Sequence, residues 1–121
     1  MSPRDKTAYL SKSLYMRGLQ CHKSLYLDRY RPELRAEPTK ELEALWESGR
    51  QVGEYAHMLF PGGVVVPFEG LTKEEQLAKT RQEVDRGTKA IYEATFSYDS
   101  VFVKADIIVR NRGFWDLYEV K

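Results

Sequence analysis

Leu42, Leu45, Trp46, Gly49, Val52, Gly53, Ala56, Leu59 and Phe60 recur at i, i+3 and i+4. This spacing predicts an amphipathic helix that Thr39 opens and Pro61-Gly62-Gly63 stops. An earlier helix starts near Lys12, with Ser11 or Ser13 as its cap. It carries one stripe of Leu14, Gly18, Cys21 and Leu25, and a more aromatic one of Tyr15, Leu19, His22, Tyr26 and Tyr30. Gly18 is a point at which it can divide, and Pro32 ends it. Thr72-Lys73-Glu74-Glu75 is a capping box for a third helix, with Leu77, Thr80/Arg81 and Val84 as its weak apolar side and Gly87 as its end.

Strand periodicity appears elsewhere. Residues 64–68 read as a short strand, and Pro67 places it at a sheet edge. From Lys89 onward the period is two. Ile91, Glu93 and Thr95 alternate with Tyr92, Ala94 and Phe96. Val101, Val103, Ala105, Ile107 and Val109 alternate with Phe102, Lys104, Asp106, Ile108 and Arg110. After Asn111-Arg112-Gly113, Trp115, Leu117, Glu119 and Lys121 alternate with Phe114, Asp116, Tyr118 and Val120. The expected architecture is α/β: N-terminal helices packed on an antiparallel-to-mixed sheet, with a three-stranded antiparallel meander at its end.

Gly49 and Gly53 lie on the apolar stripe of the second helix. Each costs about 1 kcal/mol of helix propensity relative to alanine. The expected compensation is close approach of another backbone or of a ligand, so a leucine at 53 is expected to overpack.

The composition, 42% apolar and 31% charged, is that of a globular domain rather than a disordered chain. No apolar run is long enough to span a bilayer, and MSPRDKTAYLSKS contains no secretory h-region. With one cysteine, Cys21, no internal disulfide can form, and a cytoplasmic location is expected. The net charge of +1 conceals an asymmetry. Residues 1–35 hold eight Lys/Arg and three acids, which is +5 and leaves −4 for the rest. Lys12, Arg17, Lys23, Arg29 and Arg31 form either a nucleic-acid backbone contact or an ordinary solvated helix face.

The last hairpin gathers candidate chemistry. With Arg112-Gly113 as a two-residue loop, Asn111 faces Phe114, Asp106 faces Glu119 and Lys104 faces Lys121. Opposed side chains share a face with Cβ atoms about 5 Å apart. Two such carboxylates repel unless a cation sits between them, and a divalent ion with hard-oxygen preference meets that need. A nearby ammonium can hold or activate water, the outline of metal-assisted hydrolysis. A surface sheet face with mixed charges is the other reading of the same residues.

Asp106 followed by Glu119-Val120-Lys121, in the strings "VKADIIV" and "LYEVK", resembles the core of the PD-(D/E)XK nuclease superfamily in its RecB-like branch. "LSKSLYMRGLQCHKSLYL" is similar to the opening helix of that branch, which includes CRISPR-associated RecB-type exonucleases and an uncharacterised bacterial family of RecB-like proteins. Gly53-Glu54-Tyr55-Ala56-His57 matches its Gly, three residues, His spacing. The resemblance implies a partial restriction-endonuclease-like core and hydrolysis of DNA phosphodiesters with Mg²⁺ or Mn²⁺; the sequence does not separate DNA from RNA. It implies Asp106, Glu119, the Val120 carbonyl and His57 as metal ligands, and Lys121 as the residue that orients or activates water. Glu54 is expected to face solvent.

The resemblance also implies strands and helices beyond Lys121. Residues 1–121 are accordingly expected to be the N-terminal part of a single RecB-like nuclease domain, cut at Lys121 in mid-strand. An open strand edge of this kind favours self-association. Little cleavage is expected from these residues alone. Cys21 is read as a small buried side chain on its apolar stripe; the resemblance makes it a candidate ligand of a [4Fe–4S] cluster, which requires downstream cysteines. The rival expectation is a non-catalytic nucleic-acid-binding or assembly module with an incomplete site.

Overall fold

A computed structural model describes residues 9–121. The chain divides into two compact units, Met1–Thr39 with Ser97–Val103, and Lys40–Phe96 with Lys104–Lys121.

In the first unit, strand β1 (Leu10–Ser11) pairs in parallel with the start of β4 (Val101–Asn111), with Leu10 opposite Val101 and Ser11 opposite Phe102. The Tyr9 ring lies 5.6 Å from that of Phe102. Helix α1 (Lys12–Gln20) starts where expected, because Ser11 Oγ accepts from the Leu14 N–H at 3.2 Å. Helix α2 (His22–Tyr30) follows, and Pro32–Leu34 forms a 3-10 turn.

The division between these helices falls at Cys21, not at Gly18. Cys21 is extended at φ −160° and ψ 113°, and its N–H still closes the last turn on the Arg17 carbonyl at 2.9 Å. Gly18 is the contact point instead: a Cβ there would stand 2.8 Å from Leu25 Cδ2. The glycine thus lets the two helices approach. The expectation of a buried Cys21 also fails, because a residue at the bend leaves the apolar stripe and is exposed.

In the second unit, α3 (Lys40–His57) is followed by β2 (Val64–Val65), α4 (Lys73–Arg86), β3 (Ala90–Tyr98), the remainder of β4, and β5 (Phe114–Tyr118). Strand β2 runs parallel to β3, and β5 runs antiparallel to β4. The sheet is therefore mixed, and β2 is an edge strand as Pro67 suggested. The expected capping box is present: Thr72 Oγ1 accepts from the Glu75 N–H at 3.2 Å, and Glu75 Oε2 accepts from the Thr72 N–H at 2.7 Å. Gly87 ends α4 in the left-handed region at φ +84°.

Helix α4 buries part of its expected side, since Thr80 is buried and Val84 packs on the core, but Gln76 and Glu83 are buried as well and Arg81 is exposed. Thr80 Oγ1 lies 3.1 Å from Thr95 Oγ1 and accepts from the Thr95 N–H at 3.0 Å. Glu83 is fully buried and receives Lys79 at 3.1 Å, Arg86 at 3.2 Å and the Thr88 hydroxyl at 2.5 Å. These partners hold its carboxyl below the usual carboxylate range, the Thr88 hydrogen bond first and Lys79 next, against the opposing effect of burial.

The core forms two clusters. Val66, Ile91, Ala94, Ala105 and Ile108 pack with Val84 of α4 and Trp115. Ala90, Tyr92 and Ile107 pack with Ala56, Phe60, Val109 and Val120, on the α3 side. Fully burying Ile91 and Ile107 stabilises by about 1.5–3 kcal/mol each. These clusters break strict alternation. Ile91 shares its cluster with Ala94, and Ala105 shares that cluster with Ile108, although residues three apart would oppose each other in a regular strand. At the interruption in β3, Glu93 has φ +60°. The even–odd faces read from the sequence are corrected accordingly.

Candidate functional site

One cleft of about 420 Å³ in the second unit brings together residues from α3, the segment after β2, β3, β4 and the chain after β5. His57, Asp106 and Val120 line it, with Glu93, Glu54, Glu69, Arg50, Gly49 and Gly53.

Tyr92 fixes the His57 corner. The two rings stack with centroids 4.1 Å apart and planes at 7°. The Tyr92 hydroxyl accepts from the Gly63 N–H at 3.0 Å and donates to the Phe60 carbonyl, with the His57 carbonyl at 3.3 Å. One phenol therefore ties the last turn of α3 to the loop that leaves it. Gly63 is required here, because a Cβ would lie 2.3 Å from Tyr92 Cζ.

Asp106 sits half-buried on β4. Its Oδ2 accepts the Val120 N–H at 2.8 Å, while the Val120 side chain packs toward Ala90, Tyr92 and Ile107. The hairpin register is the one expected from the two-residue loop: Asn111 faces Phe114, and Ile107 faces Tyr118. Strand β5 ends at Tyr118, however, so the strand predicted through Lys121 is three residues shorter. The chain leaves the ladder as the Val120 N–H turns to the Asp106 carboxylate. Glu119 and Lys121 are exposed and stand outside the lining of the cleft.

The glycines are not places of close protein contact. A Cβ on Gly49 or Gly53 would meet no atom within 4 Å, which overturns the expectation that a backbone packs there. They leave one wall of the cleft open. Glu54 is exposed, as expected, at the rim and lies 3.6 Å from Arg50.

Two residues of the site escape sequence reasoning. Glu93 is turned by its positive φ, lines the cleft, and meets Lys104 Nζ at 3.3 Å. Holding a non-glycine residue in that region costs about 1–3 kcal/mol. Lys104 lies 4.1 Å from the centre of the Phe68 ring on the same wall. Tyr92 is the other. Neither the positive φ nor the reach of the phenol to three backbone groups has a signature in hydrophobic periodicity.

Glu54, Glu69, Glu93 and Asp106 line the cleft with Arg50, which also binds Glu47 at 2.7 Å, and Lys104 answers Glu93. Among the described residues, no three His, Cys, Asp or Glu side chains are gathered closely enough to hold a metal ion by themselves. Mg²⁺ commonly takes only one or two carboxylates and completes its shell with water and substrate phosphate. Asp106 and Glu69 are the hard-oxygen donors of this wall, and Glu93 is paired with Lys104.

The basic residues lie in the first unit and are exposed. Arg17 and Arg35 both pair with Asp28, Arg31 pairs with Glu33, and Arg29 lies 5.9 Å from the centre of the Tyr30 ring. Lys12 is on the first turn of α1, and Lys23 and Cys21 line a cleft beside α2. Among the described residues no helix is long and apolar enough to cross a membrane. Comparison with protein-family models, with curated proteins and with solved structures finds no match to this chain.

Proposed function

We propose that this chain carries the metal-binding part of a RecB-like PD-(D/E)XK nuclease, built on a partial restriction-endonuclease-like core, and that its full gene product hydrolyses DNA phosphodiesters. The observation that carries this reading is the cleft itself: Asp106, His57 and Val120 meet there, with four carboxylates, the Arg50 guanidinium and Lys104 paired to Glu93. A phosphodiester approaching such a wall is repelled unless a divalent cation intervenes.

Asp106, Glu119, the Val120 carbonyl and His57 would hold Mg²⁺ or Mn²⁺. The ion supplies charge stabilisation at a phosphoryl oxygen and a more acidic water. The chain's own residues do the rest. The Val120 N–H orients the Asp106 carboxylate, Tyr92 holds the His57 ring, and Gly49 and Gly53 leave room for substrate. The resemblance gives Lys121 the role of holding or orienting the attacking water, although Glu119 and Lys121 stand outside the cleft lining in the structure.

The full gene product is expected to cut labelled DNA with Mn²⁺ and to lose that activity as Asp106→Asn. Asparagine keeps an oxygen acceptor for the Val120 N–H, so the fold is retained. Undiminished cutting by the variant would place the chemistry elsewhere. The second reading, a non-catalytic nucleic-acid-binding module, is favoured by the position of Glu119 and Lys121 outside the cleft lining. Metal-independent binding with no cutting by the full product would select it.

A further inference from the structure

Helix α3 (Lys40–His57) carries its apolar residues on two sides. Ala56 and, just past the helix, Phe60 pack on the cluster of Ala90, Tyr92 and Ile107. Leu45, Val52, Tyr55 and Leu59 instead remain between 47% and 76% exposed. With Ser48 they recur at intervals of three, four, three and four residues. This is the seam of a coiled coil over two heptads, with Leu45, Val52 and Leu59 at one core position and Ser48 and Tyr55 at the other. The turn after α3 keeps Leu59 in register, because its N–H bonds to the Ala56 carbonyl at 3.1 Å. We propose that this seam joins two copies of the chain through an antiparallel pair of α3 helices. The proposal goes beyond the nuclease reading and does not depend on it.

The spacing sets the form of the partner. A repeat of three and four residues is the surface that one helix offers to another, since each side chain enters a hole between four side chains of the facing helix. The charges then choose which helix. Between Leu45 and Leu59 the ionic side chains pair among themselves: Arg50 meets Glu47 at 2.7 Å and Glu54 at 3.6 Å, and Gln51 donates to Glu47 at 3.2 Å. The positions that flank the seam are Ala44, Gly49, Gln51, Ala56 and Met58, none of them charged. A helix that selects its partner by flanking charges would find no countercharge here. A second copy brings the same neutral flanks and meets no like charge. Ala44, Gly49 and Ala56 also have side chains small enough for the two backbones to approach.

The helix ends decide the direction. The first turn of α3 holds Glu41 and Glu43, and the last turn holds His57. Parallel copies would set two acidic first turns side by side. Antiparallel copies set each acidic turn beside the other copy's C-terminal turn, and the helix dipoles then oppose favourably. In this arrangement Leu45 layers with the second copy's Tyr55, and Ser48 with its Val52. No seam residue lines the Asp106 cleft, whose α3 residues are Gly49, Arg50, Gly53, Glu54 and His57. Pairing therefore leaves the cleft available.

The test is sedimentation velocity of the whole chain over a range of concentrations. The parent is expected to form a dimer with a dissociation constant in the micromolar range, since the seam is only two heptads long. Val52→Glu is expected to weaken it by about a hundred-fold or more, because the pair would bury an unanswered carboxylate. Its circular dichroism should match the parent's, since the side chain is exposed in a single copy. Phe114→Glu, at the exposed start of β5, is expected to leave the dimer unchanged. Direction is read from disulfides in a Cys21→Ser background. Ser48→Cys alone should not cross-link, whereas its mixture with Val52→Cys should. A parent that stays monomeric up to about 1 mM, a dimer that survives Val52→Glu, or one lost in Phe114→Glu would overturn the proposal. Unfolding of Val52→Glu would do so too, by showing that the seam is covered within one copy. Cross-linking of Ser48→Cys with itself would overturn the antiparallel arrangement.

Discussion

Gly53→Ala should make the protein more stable, and larger residues at the same position should make it less active. Gly53 lies within α3, and a Cβ built on it meets no atom within 4 Å. The new methyl group therefore encounters no steric cost. What remains is backbone propensity, which favours alanine over glycine by about 1 kcal/mol in a helix interior. A change of that size moves the melting temperature of a domain of this length upward by about 4 °C. Gly49→Ala should add a similar increment, since it is equally unobstructed. The two sites also line the Asp106 cleft, so Gly53→Leu should fill the space that the nuclease reading gives to substrate. Its expected signature is a melting temperature no lower than the parent's, together with weaker cleavage by the full gene product. Thermal unfolding followed by circular dichroism gives the first quantity, and a gel cleavage assay gives the second. A lower melting temperature for Gly53→Ala would show that something packs on this face and would refute the open cleft.

Gly63→Ala should destabilise by about 1–3 kcal/mol, because the new methyl lands on the Tyr92 ring, and urea denaturation would register it. Glu83 should make the fold acid-sensitive. Its folded-state carboxyl lies below the usual range, so its contribution is present above that range and is lost as pH falls through the folded value. Melting temperatures across acidic pH should fall for the parent and flatten for Glu83→Gln; parallel curves would contradict this. Glu93→Gly should relieve the positive φ and cost no stability, while weakening Mn²⁺ binding at the cleft, as calorimetry would show.

Local signals proved legible where a single interaction decides the structure. The Ser11 cap, the Thr72 capping box, the Gly87 stop and the Arg112-Gly113 turn are all short-range arrangements, and each is present. The turn fixes the hairpin register, which is why the loop alone foretells that Asn111 faces Phe114. Longer-range features were hidden. A continuous helical stripe through Cys21 conceals the bend, because Gly18 serves contact with Leu25 rather than breakage. Strict alternation conceals the turn at Glu93, since only tertiary contacts sustain a positive φ in that residue. Hydrophobicity also misses Gln76 and Glu83 of α4, which are buried beside the expected Thr80 and are each satisfied by a specific partner. At the site, residue types indicated Asp106 and His57, while their meeting place depends on Tyr92, Gly63 and the departure of the chain after Tyr118.

The proposed nuclease requires a divalent cation in the cleft around Asp106. Titration of Mn²⁺ into the isotopically labelled chain, followed by amide NMR, tests it most directly, because the paramagnetic ion broadens signals nearest to it. Broadening should concentrate at His57, Glu93, Asp106 and Val120, and should disappear in Asp106→Asn while the remaining spectrum is retained. Broadening centred on other residues, or unchanged in Asp106→Asn, would contradict the account.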